Sequence, residues 1–190
     1  MNLPNKLTIL RLILIPFYVF FQMTEFFSFS SHVATFIFSL ACLTDIADGI
    51  IARKRGQITD FGKFADPLVD KILVLAAMIC FVALGKMPFW ICIIILAREF
   101  AVSGFRLILA GKGVVLAASR LGKAKTSLQM SMSIMMAFDM ASLVAKQGWP
   151  SIVLTVYDIV TIISMYGALI LTVASMIEYF YKNRKSFSAE

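Results

Sequence analysis

Apolar residues fall into six long runs, separated by short segments rich in polar, glycine and proline residues. The runs cover residues 7–27, 33–52, 67–84, 88–110, 126–145 and 152–181. A helix needs about 20 apolar residues to cross the hydrocarbon core of a bilayer, and each run has roughly that length. The clearest breaks, at 85–88 and 148–150, contain glycine and proline. This pattern predicts an all-α integral membrane protein with six transmembrane helices, forming a single domain over residues 1–190.

The composition supports this prediction. Hydrophobic residues make up 60% of the chain and charged residues 15%, and the mean hydropathy is +0.87. Soluble domains have about 45–50% apolar and about 25% charged residues, so this chain has too few charges for a water-facing surface. The same values exclude a disordered chain, and three cysteines are too few for a disulfide scaffold.

The basic residues are distributed unevenly along the chain. With the N-terminus in the cytoplasm and six crossings, the outer loops contain only Lys86 and Lys146 of the 18 Lys and Arg residues. Cytoplasmic loops of membrane proteins carry an excess of Lys and Arg. The distribution therefore predicts that both termini are cytoplasmic. It also explains the net charge of +7 without a nucleic-acid partner.

Four aspartates flank the second break between apolar runs. Asp45 and Asp48 end the second run, whereas Asp66 and Asp70 begin the third. A charge within a membrane costs about 2.5–3.5 kcal/mol on insertion scales, which favours a functional role. On a helix, Asp45 and Asp48 share a sector about 140° wide with Gly49, Ala52 and Arg53, and spacings of four place Gly62, Asp66 and Asp70 on one face. Consecutive helices joined by a short loop are antiparallel neighbours, so the four carboxylates are expected to meet near the cytoplasmic surface.

Four adjacent carboxylates need cations to neutralise them. All-oxygen ligands favour Mg²⁺ or Mn²⁺ over zinc, and two ions would balance the four charges. Gly49, Ala52 and Gly62 leave space on the same faces, and Arg53 adds a positive charge. Such a site suits a phosphate ester or a diphosphate. The alternative is helix packing through small residues, with some capping aspartates.

These residues form the pattern D-x-x-D-G-x-x-A-R, then eight residues, then G-x-x-x-D-x-x-x-D. The pattern resembles the signature of the CDP-alcohol phosphatidyltransferases at every signature position. The resemblance implies six transmembrane helices, a homodimer, and transfer of a phosphatidyl or other CDP-linked group to an alcohol with release of CMP.

The resemblance also implies roles for individual residues. Asp45, Asp48, Asp66 and part of Asp70 would bind the divalent metals, and Asp70 would be the general base. The implied CDP contacts in the signature are Asp48, Gly49, Ala52, Arg53 and Gly62. The only histidine, His32, falls in a predicted outer loop, so a carboxylate is expected to transfer the proton.

The N-terminus carries a second motif, N-x-P-N-x-L-T-x-x-R, over residues 2–11. It resembles the opening of the bacterial phosphatidylglycerophosphate synthases, a branch of this family. The resemblance makes Asn5 and Thr8 candidate CDP contacts. The alternative is an amphipathic start to the chain, with Arg11 as an anchor at the membrane interface.

The fourth run contains R-E-x-x-V-S-G-x-R, and A-S-x-x-G-K-x-K-T follows at 118–126. Arg98 and Arg106 are eight residues apart and share a helix face, and two arginines there need an anion. A phosphate on the acceptor would suit their guanidinium groups, whereas an ion-pair network with Glu99 is the alternative. Arg120 and Lys123 are further candidates, unless they are positive-inside anchors.

Both motifs resemble the same branch. The resemblance implies CDP-diacylglycerol as donor and glycerol 3-phosphate as acceptor. It also implies that the protein lies in the bacterial cytoplasmic membrane, in contact with membrane lipid, and that its active site faces the cytoplasm. Other acceptors stay open, namely inositol phosphate, serine and phosphatidylglycerol. A cation transporter is the rival from a different class, but its carboxylates should line a path to the membrane midplane. Here they cluster at one end beside Arg53, which would repel cations.

Overall fold

The structure is a computed structural model that describes residues 3–24, 27, 29–55, 60–111 and 119–182. Within these ranges, the side chains of residues 3, 4, 46–55, 60–67, 70, 110, 111 and 120 lie outside the description. Every regular element of the described residues is a helix. The seven helices are α1 Leu3–Met23, α2 Ser30–Arg55, α3 Asp60–Ala83, α4 Phe89–Gly111, α5 Arg120–Ala137, α6 Met140–Gln147 and α7 Ser151–Lys182.

The prediction of an all-α protein with helices that can span a membrane is confirmed for the described residues. Among the described residues, Asn5–Met23 and Ser151–Lys182 are long and apolar enough to cross a membrane, and α5 with α6 forms a third, bent candidate. A six-span topology with cytoplasmic termini stays a prediction.

The fifth apolar run is not one helix, as predicted, but two. α5 and α6 meet at an angle of 50°. Asp139 caps α6, because its carboxylate accepts a hydrogen bond from the Ser142 backbone amide at 3.1 Å. Lys86 Nζ donates to the Met136 carbonyl at 2.9 Å, in the last turn of α5. The break is therefore stabilised from both sides. His32, predicted in a loop, lies instead in the first turn of α2.

The chain divides into two compact units. The first unit contains Met1–Met87 and Ser133–Ser151, and in it α1 packs against α2 and α3. The buried face of α1 follows helical spacing. Its members are Asn5, Thr8, Arg11, Ile15, Tyr18 and Gln22. Tyr18 packs on Phe38 of α2 with ring centroids 5.3 Å apart. Polar side chains therefore occupy much of a face that is buried inside the unit.

The second unit contains Pro88–Met132 and Ile152–Glu190. Its helix α7 buries small and polar residues and exposes large apolar ones, which is typical of a helix in lipid. The buried set is Met165, Ala168, Thr172, Ser175 and Tyr179. Ile163, Ile170 and Ile177 are exposed. A Cβ atom at Gly167 would lie 3.1 Å from Leu128 Cδ2, so α5 and α7 approach closely at this glycine.

We predict that Gly167→Leu destabilises the protein, because the larger side chain would have to displace Leu128. Overpacking of this kind costs about 1–3 kcal/mol of unfolding free energy. Gly104→Leu on α4 is the matched control, since a Cβ there has no atom within 4 Å among the described residues. Thermal unfolding of both variants in detergent measures the difference. Equal stability would contradict the close approach of α5 and α7.

Candidate active site

The two halves of the aspartate signature lie on consecutive helices of the first unit. α2 carries Asp45, Asp48, Gly49, Ala52 and Arg53, and α3 carries Gly62, Asp66 and Asp70. The helical backbone at these positions confirms the spacing argument, in which residues three or four apart share a face. Asp45 is the one signature residue whose side chain the structure describes. The other side chains of the signature lie outside the described residues, so their predicted roles stay predictions.

Asp45 forms an ion pair with Arg11 of α1. The distance from Arg11 Nη1 to Asp45 Oδ1 is 3.0 Å. The Arg11 side chain is completely buried, whereas that of Asp45 is 26% exposed. A buried guanidinium group needs a counter-charge, because an unpaired charge away from water is very costly. The pair therefore joins α1 directly to the first half of the signature.

The predicted CDP contacts Asn5 and Thr8 lie on the same buried face of α1 as Arg11. The side chain of Thr8 is 1% exposed, and Asn5 is also buried. The three residues are spaced by three, so the polar stripe runs along the first turns of the helix. Arg11 is therefore buried beside the predicted CDP contacts and is not an exposed interface anchor. Its spacing of three from Thr8 in an otherwise apolar helix is the sequence feature that could have placed it on this face.

A second polar cluster, in the second unit, surrounds Arg98. Arg98 Nη2 donates a hydrogen bond to Ser175 Oγ of α7 at 3.0 Å. Its Nη1 lies 3.5 Å from Glu99 Oε1, and the same carboxylate oxygen pairs with Lys125 Nζ. The alternative of an ion-pair network with Glu99 is therefore observed for Arg98. Glu99 is shared between two cations, so it neutralises Arg98 only in part.

Arg106 is held differently. Its guanidinium carbon lies 5.5 Å from the centroid of the Tyr179 ring, a cation–π contact. Among the described residues, the buried Nε atoms of Arg98 and Arg106 have no hydrogen-bond acceptor. Buried donors without acceptors are rare in proteins, and they suit a ligand that supplies oxygen atoms.

Two lysines in the first turns of α5 differ in burial. Lys123 is exposed, whereas Lys125 is 1% exposed and pairs with Glu99. The side chain of Arg120 lies outside the described residues. Lys125 was not among the predicted site residues, and the structure buries it in the cluster. No sequence pattern distinguished Lys125 from Lys123.

Comparison with known proteins decides the family. The sequence model of the CDP-alcohol phosphatidyltransferases matches residues 1–177. The chain belongs to this family. The match includes every predicted site residue of this phosphatidyltransferase.

Two relatives match this family member over nearly its whole length. A protein of Wigglesworthia glossinidia brevipalpis is 38% identical over 95% of this chain and 94% of its own length. A protein of Rickettsia felis is 38% identical over 98% of this chain and 97% of its own length. A Bacillus subtilis relative is 44% identical over 67% of this chain and 72% of its own. All three are named CDP-diacylglycerol–glycerol-3-phosphate 3-phosphatidyltransferase.

The metal site of this phosphatidyltransferase was predicted at Asp45, Asp48, Asp66 and Asp70. Among the side chains that the structure describes, no three His, Cys, Asp or Glu residues form a cluster that could hold a metal ion. Three of the four predicted ligands lie outside those side chains. Asp45 is compatible with the prediction, because its carboxylate is partly exposed and its ion pair engages one oxygen.

We predict that Lys125→Met lowers the free energy of unfolding by about 1–3 kcal/mol. The substitution removes the partner of Glu99 in a buried position, although Arg98 stays nearby and moderates the loss. Lys123→Met is the matched control, because Lys123 is exposed two residues earlier on the same helix. It should change stability by less than about 0.5 kcal/mol. Unfolding in detergent measures both, and equal effects would argue against a buried network.

Proposed function

We propose that this chain transfers the phosphatidyl group of CDP-diacylglycerol to glycerol 3-phosphate. The products are phosphatidylglycerol phosphate and CMP. The observation that carries the proposal is the near full-length similarity to relatives that bear the name of this activity. The family is one of phosphatidyltransferases, and the signature on α2 and α3 supplies the residues that its chemistry requires.

The net reaction exchanges the phosphoanhydride bond of the CDP diphosphate for a phosphodiester bond to the acceptor, and the bridging oxygen leaves with CMP. A P–O bond forms between the acceptor hydroxyl and the phosphorus of the phosphatidyl group, and the bond from that phosphorus to CMP breaks. The acceptor hydroxyl loses its proton, for which Asp70 is the proposed general base. His32 lies on α2 in the first unit with its ring edge-on to Phe138, which leaves the base role to a carboxylate.

The donor would be held by residues of α1, α2 and α3. Asn5, Thr8, Asp48, Gly49, Ala52, Arg53 and Gly62 are the proposed CDP contacts. Asp45, Asp48, Asp66 and Asp70 would hold two Mg²⁺ or Mn²⁺ ions, in a family that is generally dependent on divalent metals. The bound cations would neutralise the diphosphate and stabilise negative charge on the departing CMP. Arg11 would keep the Asp45 carboxylate oriented, and its second oxygen could serve as a ligand.

The acceptor phosphate would be bound by Arg98, Arg106, Arg120 and Lys123. Support comes from the buried Nε atoms of Arg98 and Arg106, which have no acceptor among the described residues. Arginine matches phosphate oxygens through several N–H donors in fixed geometry. The cluster of Arg98, Arg106, Lys125 and Glu99 has an excess of positive charge, which suits the dianionic phosphate of glycerol 3-phosphate.

We further infer a homodimer in the bacterial cytoplasmic membrane, with the active site facing the cytoplasm. The asymmetry of Lys and Arg supports this orientation. CDP-diacylglycerol would enter laterally from the inner leaflet, and glycerol 3-phosphate from the cytoplasm. The basic residues would attract both anionic substrates.

The proposal is tested by CMP release from CDP-diacylglycerol in detergent with Mg²⁺ or Mn²⁺ and a panel of acceptors. We expect release to depend on glycerol 3-phosphate. The controls are inositol phosphate, serine and phosphatidylglycerol, and each should give at most a small fraction of that rate. Preference for one of these acceptors would be consistent with the family assignment, but it would contradict glycerol 3-phosphate as the acceptor. No CMP release with any acceptor would contradict the proposed activity.

Asp70→Asn should abolish turnover while CDP-diacylglycerol still binds. The amide cannot accept the proton, so the rate should fall by about 10²-fold or more. Binding of the donor with metal present, measured by calorimetry in detergent, should persist. Loss of donor binding would instead indicate that Asp70 mainly holds metal. Asp158→Asn is the control, because Asp158 is an exposed aspartate of α7 outside the signature.

A further inference from the structure

Helix α7 contacts the two arginines of α4, Arg98 and Arg106, through uncharged groups. Ser175 contacts Arg98, and Tyr179, one turn later, contacts Arg106. Ser175 is completely buried and Tyr179 is 5% exposed. The last apolar run, residues 152–181, contains none of the motifs that carry the family resemblance, so no site residue was predicted on it. The structure places two polar side chains from it directly against the predicted acceptor arginines.

The orientation of the Ser175 hydroxyl is fixed by its own helix. It donates a hydrogen bond to the Thr172 carbonyl at 3.0 Å. A hydroxyl has one donor and two acceptor positions, so the oxygen is left to accept from Arg98 Nη2. Backbone geometry therefore determines where one edge of the Arg98 guanidinium group lies.

Neither of these two contacts from α7 neutralises the positive charge of the arginine that it touches. A serine oxygen accepts one hydrogen bond from Arg98, and the Tyr179 ring faces the Arg106 guanidinium through its π-electrons. A carboxylate in either position would form an ion pair and compete with an incoming phosphate. Glu99, the carboxylate that does contact Arg98, is also paired with Lys125. The two guanidinium groups are thus held in place while keeping positive charge for a ligand.

We propose that Ser175 and Tyr179 are positioning residues that hold Arg98 and Arg106 for the phosphate of the acceptor. This inference rests on the proposed function, since it assumes that the two arginines bind glycerol 3-phosphate. It extends the acceptor site to α7, with Ser175 acting through Arg98 and Tyr179 through Arg106. Affinity for the acceptor then depends on a helix that carries no part of the aspartate signature.

The test is steady-state kinetics of the purified full chain in detergent, with CDP-diacylglycerol, Mn²⁺ and varied glycerol 3-phosphate. Ser175→Ala and Tyr179→Leu should each raise the KM for glycerol 3-phosphate roughly threefold to tenfold, because loss of a contact to a charged group frees the guanidinium. The kcat and the KM for CDP-diacylglycerol should stay within about twofold. Arg98→Ala should raise the acceptor KM further than Ser175→Ala does.

Conservative variants and a matched control separate positioning from general packing. Ser175→Thr keeps the hydroxyl and Tyr179→Phe keeps the ring, so both should restore most of the acceptor affinity. Ser164→Ala removes a half-buried hydroxyl from the same face of α7, three turns earlier, and should leave all constants unchanged. If Ser175→Ala does not fold, the pair Tyr179→Leu and Tyr179→Phe decides the test.

Several outcomes would overturn the inference. An unchanged acceptor KM in Ser175→Ala and Tyr179→Leu would exclude the positioning role, and a change in one alone would exclude the unaffected residue. Equal rises in both substrate KM values would indicate a merely structural role. These failures differ from failure of the proposed function, in which the wild-type chain itself would release CMP without dependence on glycerol 3-phosphate.

Discussion

The ion pair between Arg11 and Asp45 is the interaction on which the first unit depends most. Arg11 is fully buried on α1, and a charge removed from water requires a partner. Its partner is the first aspartate of the family signature, so the same contact that makes burial of Arg11 tolerable also fixes α1 against α2. The helix that carries the proposed CDP contacts Asn5 and Thr8 is thereby linked to the helix that carries the first proposed metal ligands.

In the second unit, too, the buried cations need partners, but the partner groups differ. The buried Lys125 pairs with the partly exposed Glu99, and Arg98 is held by the same carboxylate and by a serine. Arg106 rests against an aromatic ring. Each cation therefore has a partner, but Glu99 pairs with only two of the three, Arg98 and Lys125, so the described cluster keeps an excess of positive charge. Apolar surroundings make such an excess costly unless an anion binds, and the proposed substrate supplies one in its phosphate.

Much of the fold, and the family, was predictable, because apolar runs and aspartate spacing are local in the sequence; the roles of the signature residues stay predictions. Helix boundaries followed the runs, and the signature identified the family, which the family model confirms. The break at Asp139 was missed, since the apolar pattern continues through 126–145 without glycine or proline. Whether a lysine is buried, as Lys125 is, or which α4 residue meets Ser175, depends on contacts between helices that no local pattern contains.

A double-mutant cycle on Arg11 and Asp45 measures whether the two residues stabilise each other. The unfolding free energies of Arg11→Met, Asp45→Asn and the double variant would be measured in detergent without added divalent cations. We expect the double variant to lose less than the sum of the single losses, with a coupling energy of roughly 1–3 kcal/mol. Additive losses, to within about 0.5 kcal/mol, would show that the two residues do not stabilise each other and that the ion pair does not hold α1 against α2.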